Sequence, residues 1–577
     1  MAKLQQEIKD IALIGNRRTC ALVSKDGNIC WYSPRRFDKP AILASLLDLE
    51  NGGYFKFGDE KVAFKDRSYE GDSAILTSTY QGPGGLITLT DWMPMDSQIS
   101  GICRLISRAP FEIEMQIQLK DNYGLQFFDI QASEKQATYH GDQKIFLTCS
   151  HKIVIDGDHI TWRIPADEVG WAVIADDQIG NIDYTLLMSS LESTRKEWRK
   201  VQDRITYNGP YEEIVRSSLR AIRLLTYSEN GGIIAAATTS LPEILGGDRN
   251  YDYRYVWLRD SAMIVSALTR AGSDGVEERK FLTFLCDAKQ INNQKNLVPF
   301  YALDKTIAKK ETHLNLSGYR NSQPVRIGNN AKDQLQLDAN ANVLLAAKLI
   351  YNRFEEQDHW ETVRDIAEFL VENWEKPDHG IWEEDIKQQF TSSKVISAIG
   401  LQYIADHADT EEQAKRWLKA SKDIKNFVQQ NCLTKEGAYA VYPGSEHVDI
   451  TAALFPVWGF TDVDSKEMLQ TVALLDRDYK DGDLYRRRLE LTDSSEEGVF
   501  LAASLWMAQY FILKGDLKRC ERIFEAVNRF STDLGFLPEE GDMKTSELLG
   551  NIPQTFVHAS FVGAIIDYKE AIEKVRE

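Results

Sequence analysis

Near Tyr184 the spacing of apolar residues changes from two to between three and four, and this change constrains the fold more than any other feature of the chain. A period of two buries one face of a pleated strand, whereas a period of 3.6 buries one stripe of a helix. A chain that switches once reads as two differently built regions. In the first, Leu22-Val23-Ser24 and Ile29-Cys30-Trp31-Tyr32 flank Lys25-Asp26-Gly27-Asn28 in a hairpin pattern. Lys152–Ile155 and Ile160–Ile164 flank Asp156-Gly157-Asp158-His159 in the same way. Ala74–Tyr80, Leu86–Thr90 and Phe111–Ile117 lie between, and the last alternates polar with apolar. Short strands separated by turn signals predict an N-terminal antiparallel β-sandwich over residues 1–184.

Past the switch, Leu186–Val201 is polar and suits a linker helix within 185–209. From Pro210, the apolar residues Ile214, Leu219, Ile222 and Leu225 open a helical series. Further candidates are Ala262–Ala271, Leu335–Arg353, Val363–Trp374, Ser393–Ala405, Glu412–Gln429, Glu497–Leu513, Leu517–Phe530 and Phe556–Glu573. Loops with Gly, Pro, Asp and Asn separate them. Alternating inner and outer helices can close into an (α/α)6 toroid over 210–577. An open solenoid is built from the same periodicity, but no repeated sequence period favours it.

Charge and composition exclude several functions. Lys and Arg number 68 against 87 Asp and Glu, a net charge of −19, which opposes a nucleic-acid-binding face. No apolar run approaches the roughly 20 residues that span a bilayer, so no membrane partner is expected. Seven Cys without a C-x-x-C pair suit a reducing compartment. With no apolar signal core in Met1–Glu7, the expected location is cytoplasmic. Nine His lack metal-site spacing, and no phosphate-cradling or dinucleotide-binding glycine motif occurs, so neither metal nor cofactor is expected. Asp476–Asp483 resembles a calcium loop, but Lys480 stands where an acidic ligand belongs. The sequence does not address oligomeric state. A supply of 12 Trp, 23 Tyr and 24 Phe suits a carbohydrate partner, whose apolar ring faces lie on aromatic rings.

Three loop segments concentrate carboxylates, rings and Arg. Asp248-Arg249-Asn250-Tyr251-Asp252-Tyr253-Arg254-Tyr255-Val256-Trp257-Leu258-Arg259-Asp260 leads straight into an apolar helix. It can hold a ligand; the competing explanation makes Asp260 an N-terminal cap over packed tyrosines. Gly380-Ile381-Trp382-Glu383-Glu384-Asp385 and Gly535-Phe536-Leu537-Pro538-Glu539-Glu540-Gly541-Asp542 each carry a Glu pair. Solvated surface charge is the competing explanation. Two carboxyls from separate loops on one rim are what acetal hydrolysis needs: one donates a proton to the leaving oxygen, the other takes one from water.

The chain resembles family 15 of the glycoside hydrolases, the family of glucoamylases and prokaryotic trehalases. The resemblance rests on Ile11–Thr19, Asp26-Gly27, Arg36-Phe37-Asp38, Asp252–Asp260, Gly318–Arg320, Pro324–Asn329, Asp333–Asp338 and Leu549–His558, in that order. It implies a sandwich, a linker helix, a toroid, and inverting exo-hydrolysis of a terminal α-glucoside. Glu383 falls at the family's general acid and Glu539 at its general base, with Glu540 the neighbouring alternative. Arg259 and Asp260 match residues that hold glucose hydroxyls, Tyr253 a ring near the reacting centre, and Trp257 a subsite wall. Trp382 and Glu384 flank the acid, and Arg486 matches a sugar-binding Arg within Arg486-Arg487-Arg488. On this reading burial against Trp382 and the neighbouring Glu384 keep Glu383 protonated, while Glu539 stays ionised. Inversion implies carboxyls about 6.5–9.5 Å apart. Glucoamylase-type activity is the first reading of substrate and trehalase the alternative. A non-catalytic carbohydrate-binding protein and a related phosphorylase fit less well, because both carboxylate positions are filled.

Overall fold

The computed structural model describes residues 5–58, 62–205, 207–294, 296–487 and 497–576. Its first region is an antiparallel β-sandwich followed by a helical toroid. Among the described residues, one antiparallel sheet has eight strands, from Asp129–Ala132 at one edge to Ala63–Tyr69 at the other. A four-stranded sheet carries Ile153–Asp156, His159–Ile164, Ile113–Gln118 and Tyr54–Phe57. Alternation sends Met115, Ile117, Ile160 and Trp162 inward against Leu76, Tyr80, Ile87, Leu89 and Ile174 of the larger sheet. Ile11–Gly15, Cys20–Ser24 and Ile29–Tyr32 form a third sheet whose Ile14, Val23 and Ile29 join the same core. Arg104 and Asp91, cross-strand partners, are 0% and 1% exposed. Their bidentate bonds of 2.7 and 3.0 Å keep two otherwise costly charges paired in that core.

Helix Tyr184–Gln202 follows, capped by Asp183, whose side chain accepts from Leu186 N. The toroid then alternates two kinds of helix. Leu258–Arg270, Leu337–Phe354, Thr391–Ile404, Leu501–Lys514 and Thr555–Arg576 form the inner ring with the short turn Ile450–Ala453 and Leu454–Val457. Inner helices are apolar nearly all round: every residue from Leu501 to Ile512 is buried. Outer helices bury one stripe, as Glu411–Asn431 does with Trp417, Ala420, Ser421, Ile424 and Val428. The others are Glu212–Leu224, Val276–Ile291, Trp360–Asn373, Lys466–Asp478 and Leu517–Asn528. Two of them, Val276–Ile291 and Lys466–Asp478, fall outside the candidates predicted from periodicity. Glu497–Leu513, predicted as one helix, begins as strand Val499–Phe500. The calcium-like Asp476–Asp483 is the end of an outer helix running into a hairpin, with Asp476 bonded to the Tyr485 hydroxyl at 2.6 Å. No described helix is long and apolar enough to cross a membrane.

The sandwich touches the toroid beneath the segment that carries the first aromatic cluster. Arg254, 2% exposed, donates to both oxygens of Asp252 and to the Lys39 carbonyl. Its guanidinium lies 5.7 Å from the Trp31 ring and 5.4 Å from that of Tyr123. Sandwich side chains thereby fix the loop that leads to Asp260.

Candidate active site

A cavity of about 380 Å³ opens where the chain enters the N-terminal ends of the inner helices. Most of its lining belongs to segments that run into such helices: 243–260, 329–334, 381–385, Arg487 and Phe500, and 539–554. This placement follows from the toroid, since connections on one rim are the only parts free to converge.

Glu383 and Glu539 both line the cavity. Glu383 has φ +58°, a left-handed conformation that costs a non-glycine residue energy and is kept where the surroundings hold it. Its Oε1 accepts from Trp257 Nε1 at 2.7 Å and Gln336 Nε2 at 3.2 Å. Trp257 is fixed by stacking on Phe300 at 4.4 Å, a contact set by pairing of Val256–Trp257 with Phe300–Tyr301. Burial raises the Glu383 carboxyl above its ordinary value, with Arg259 pulling the other way. The expected partners of that shift differ: Trp382 turns its indole N–H to Asp449 at 2.7 Å, and Asp260 is the carboxylate that adds to it.

Arg259 ties the acid-bearing loop to the first segment. Its Nη1 donates to the Ile381 carbonyl at 2.7 Å, its Nε to Asp260 Oδ1 at 3.0 Å, and its Nη2 lies 3.9 Å from Glu383 Oε1. Asp260 is 3% exposed and stands in the first turn of the helix, where its carboxylate takes a backbone N–H; Trp257 is the residue before the helix. Asp260 thus lines the cavity from the first turn of the helix, not from the cap position.

Glu539 is held differently. Tyr253 Oη donates to its Oε1 at 3.0 Å, while Oε2 has no hydrogen-bond partner. A Cβ on Gly550 would stand 2.9 Å from Glu539 Cβ and 3.1 Å from Oε2, so glycine leaves the room this carboxyl occupies. The preceding Leu537 N donates to the buried His558 Nε2 at 3.0 Å, and burial holds His558 neutral, its pKa lowered to about 3. Burial first, then the Glu243 charge, push Glu539 up to about 8, against Arg487. Glu539 therefore gives up its proton only above the ordinary carboxylate range.

Adjacent residues of an extended segment face opposite ways, which separates two ambiguous pairs. Glu540 lies in strand Glu540–Gly541 and points behind the wall, where Oε2 accepts from Gly498 N at 3.1 Å and Oε1 lies 3.7 Å from Arg487. It is 0% exposed and does not line the cavity. Arg486 likewise turns to Asp481 at 3.0 Å, whereas Arg487 lines the cavity. Of the two base candidates Glu539 lines the cavity and Glu540 does not, and of the two arginines Arg487 lines it in place of the expected Arg486. Arg488 lies outside the described residues. Tyr253, Trp257, Trp382 and Glu384 line the cavity as expected. Glu243, Arg249, Tyr251, Gln334 and Gln554 also line it without having been singled out as site residues. Arg249 and Tyr251 sit inside the first flagged segment, and Gln334 and Gln554 inside motifs of the resemblance; Glu243, a lone Glu after Pro242, carried no such signal.

A toroid whose inner-helix rim gathers two buried carboxylates, aromatic rings and Arg defines a glycoside hydrolase. The chain belongs to family 15 of the glycosyl hydrolases, whose model matches residues 209–522 and 518–566. A trehalase-like N-terminal model matches residues 2–184. The chain is 30% identical to a trehalase of Thermoplasma volcanium, over 97% of this chain and 93% of that one. It is 31% identical to trehalase 1 of Sulfolobus acidocaldarius, over 97% and 99%. Against a bacterial glucoamylase solved with acarbose, the TM-score is 0.72 at 14% identity, over 99% of this chain and 96% of that one. That likeness is one of fold.

Proposed function

We propose that the protein is an inverting trehalase, with Glu383 the general acid and Glu539 the general base. The observation that carries the reaction is the pair of buried carboxyls on one cavity, each with one oxygen tied. Both donors to Glu383 address Oε1, which leaves Oε2 to carry the proton for the glycosidic oxygen. Tyr253 addresses Glu539 Oε1, which leaves Oε2 to accept a proton from water. As the C1–O bond breaks, Glu383 gives its proton to the departing oxygen. Water attacks C1 from the opposite face and passes a proton to Glu539. Arg259 and Asp260 hold the hydroxyls of the sugar being cleaved, and the rings of Tyr253 and Trp257 pack on its faces. Arg487 faces the sugar in the role first given to Arg486.

The trehalase reading replaces glucoamylase-type activity because the relatives matched along nearly the whole chain carry that name, from archaea to Mycolicibacterium smegmatis at 27% identity. A cavity at the small end of ligand-pocket volumes also suits a disaccharide better than a long glucan. Glucose release from trehalose, maltose, maltotriose and isomaltose, measured side by side, tests it. Trehalose should be turned over fastest; faster release from maltotriose would restore the glucoamylase-type reading.

A further inference from the structure

Glu243 belongs to none of the roles above, yet it is 2% exposed and lines the cavity beside Glu539. Its Oε2 accepts from Arg249 Nε at 2.8 Å and Arg487 Nη2 at 2.5 Å. Its Oε1 lies 3.4 Å from the Tyr253 hydroxyl, the group that stands 3.0 Å from Glu539 Oε1. One phenolic proton thus faces two carboxylates. With Glu243 already served by two guanidinium groups, that proton goes to Glu539.

Among the described residues, the charges behind this wall do not balance. Arg249 and Arg487 also bind Glu497, at 2.5 and 3.0 Å, and Arg487 lies 3.7 Å from Glu540. Among the described residues, two guanidinium groups, Arg487 buried and Arg249 partly exposed, therefore face Glu243, Glu497, Glu539 and Glu540. Four buried carboxylates against these two cations cannot all ionise freely. Because Glu243 and Glu497 take the direct arginine bonds, the uncompensated charge falls on Glu539 and Glu540. Among the described residues, Tyr251 also faces Glu243, and Glu383 faces Tyr253 from the other wall.

We propose that Glu243 is a positioning residue for the base: it occupies Arg249 and Arg487, leaves the Tyr253 proton to Glu539, and supplies the neighbouring negative charge that sets the pH at which the base becomes active. The inference rests on Glu539 being the base. Its sign is definite. A base works ionised, so the rate falls as pH drops through its ionisation. A nearby negative charge moves that fall to higher pH, and removing the charge moves it lower.

The test is kcat/KM on trehalose against pH for the wild type, Glu243→Gln, Glu243→Asp and Tyr253→Phe. Glu243→Gln should shift the acidic limb about one pH unit lower, and Glu243→Asp, which keeps the charge, should return it toward wild type. Tyr253→Phe removes the donor that favours ionised Glu539 and should move the limb upward. It keeps the ring and so reports even where Glu243→Gln fails to fold. A limb unmoved in Glu243→Gln, or in Tyr253→Phe, overturns the proposal. Glu539→Gln separates the two levels: full turnover there removes the base assignment itself, whereas an inactive Glu539→Gln with an unmoved Glu243→Gln limb removes only the role of Glu243.

Discussion

Glu383 and Glu539 share one cavity, but the walls behind them are of different kinds. The wall at Glu383 is made of neutral donors, Trp257 and Gln336, with one cation, Arg259, at 3.9 Å. Behind Glu539 stands an ionic cluster of Glu243, Glu497 and Glu540 with Arg249 and Arg487. Neutral donors fix a carboxyl's orientation while burial, helped by Asp260, keeps its proton. An ionic cluster makes the proton affinity depend on several charges at once. An acid needs only to keep one proton in place; a base must lose its proton at the working pH, and the cluster provides the means to set that pH.

The largest effects should come from the two carboxyls, and they should differ in kind. Glu383→Gln should lose about 10²–10⁴-fold in kcat on trehalose yet retain turnover of α-glucosyl fluoride, whose leaving group needs no proton. Glu539→Gln should lose both activities, since water activation is common to them. Steady-state rates on the two substrates make the distinction, and equal behaviour of the variants would erase the contrast between the walls.

Arg259→Ala should come next, about 10²-fold in kcat/KM. It loses the sugar contact and also the bond to the Ile381 carbonyl that places Glu383. Asp260→Ala should lose sugar affinity and rate together, read by ligand titration and steady-state kinetics on trehalose.

These expectations were legible in the sequence to different degrees, for physical reasons. Long helices such as Glu411–Asn431 showed their apolar stripe, and the strand hairpins their turn residues. The inner turn Ile450–Val457 is too short to display a period and contains Pro456, so periodicity passed over it. Glu383 and Glu539 were found because motif context names a position. Glu540 stayed open beside Glu539, and Arg486 was named where Arg487 lines the cavity, because context resolves a neighbourhood, while the alternation of an extended chain decides which of two adjacent residues reaches the cavity. Glu243 escaped because its importance is collective: it exists only once Arg249, Arg487 and Tyr253 have been brought around it.

Smaller effects sharpen the comparison further. Gly550→Ala places a methyl group against Glu539 at φ +80° and should cost about 1–3 kcal/mol of stability, together with a partial loss of kcat. Thermal denaturation and kinetics on one preparation check both. The pH profile should show its acidic limb well above the ordinary carboxylate range, because Glu539 is pushed up to about 8 and activity is lost as pH falls through its ionisation. Glu540→Gln should be the mildest, at most a partial loss, since that carboxyl faces away from the cavity.

The most direct measurement of the central claim, that water is activated by Glu539 and attacks C1 opposite the departing oxygen, is proton NMR of trehalose hydrolysis in its first minutes, before mutarotation. Inversion at one anomeric carbon turns that glucose to β, while the other departs with its α bond to oxygen intact. The account predicts α- and β-glucose in equal initial amounts. Release of the α anomer alone would mean double displacement through a glucosyl-enzyme, and would contradict it.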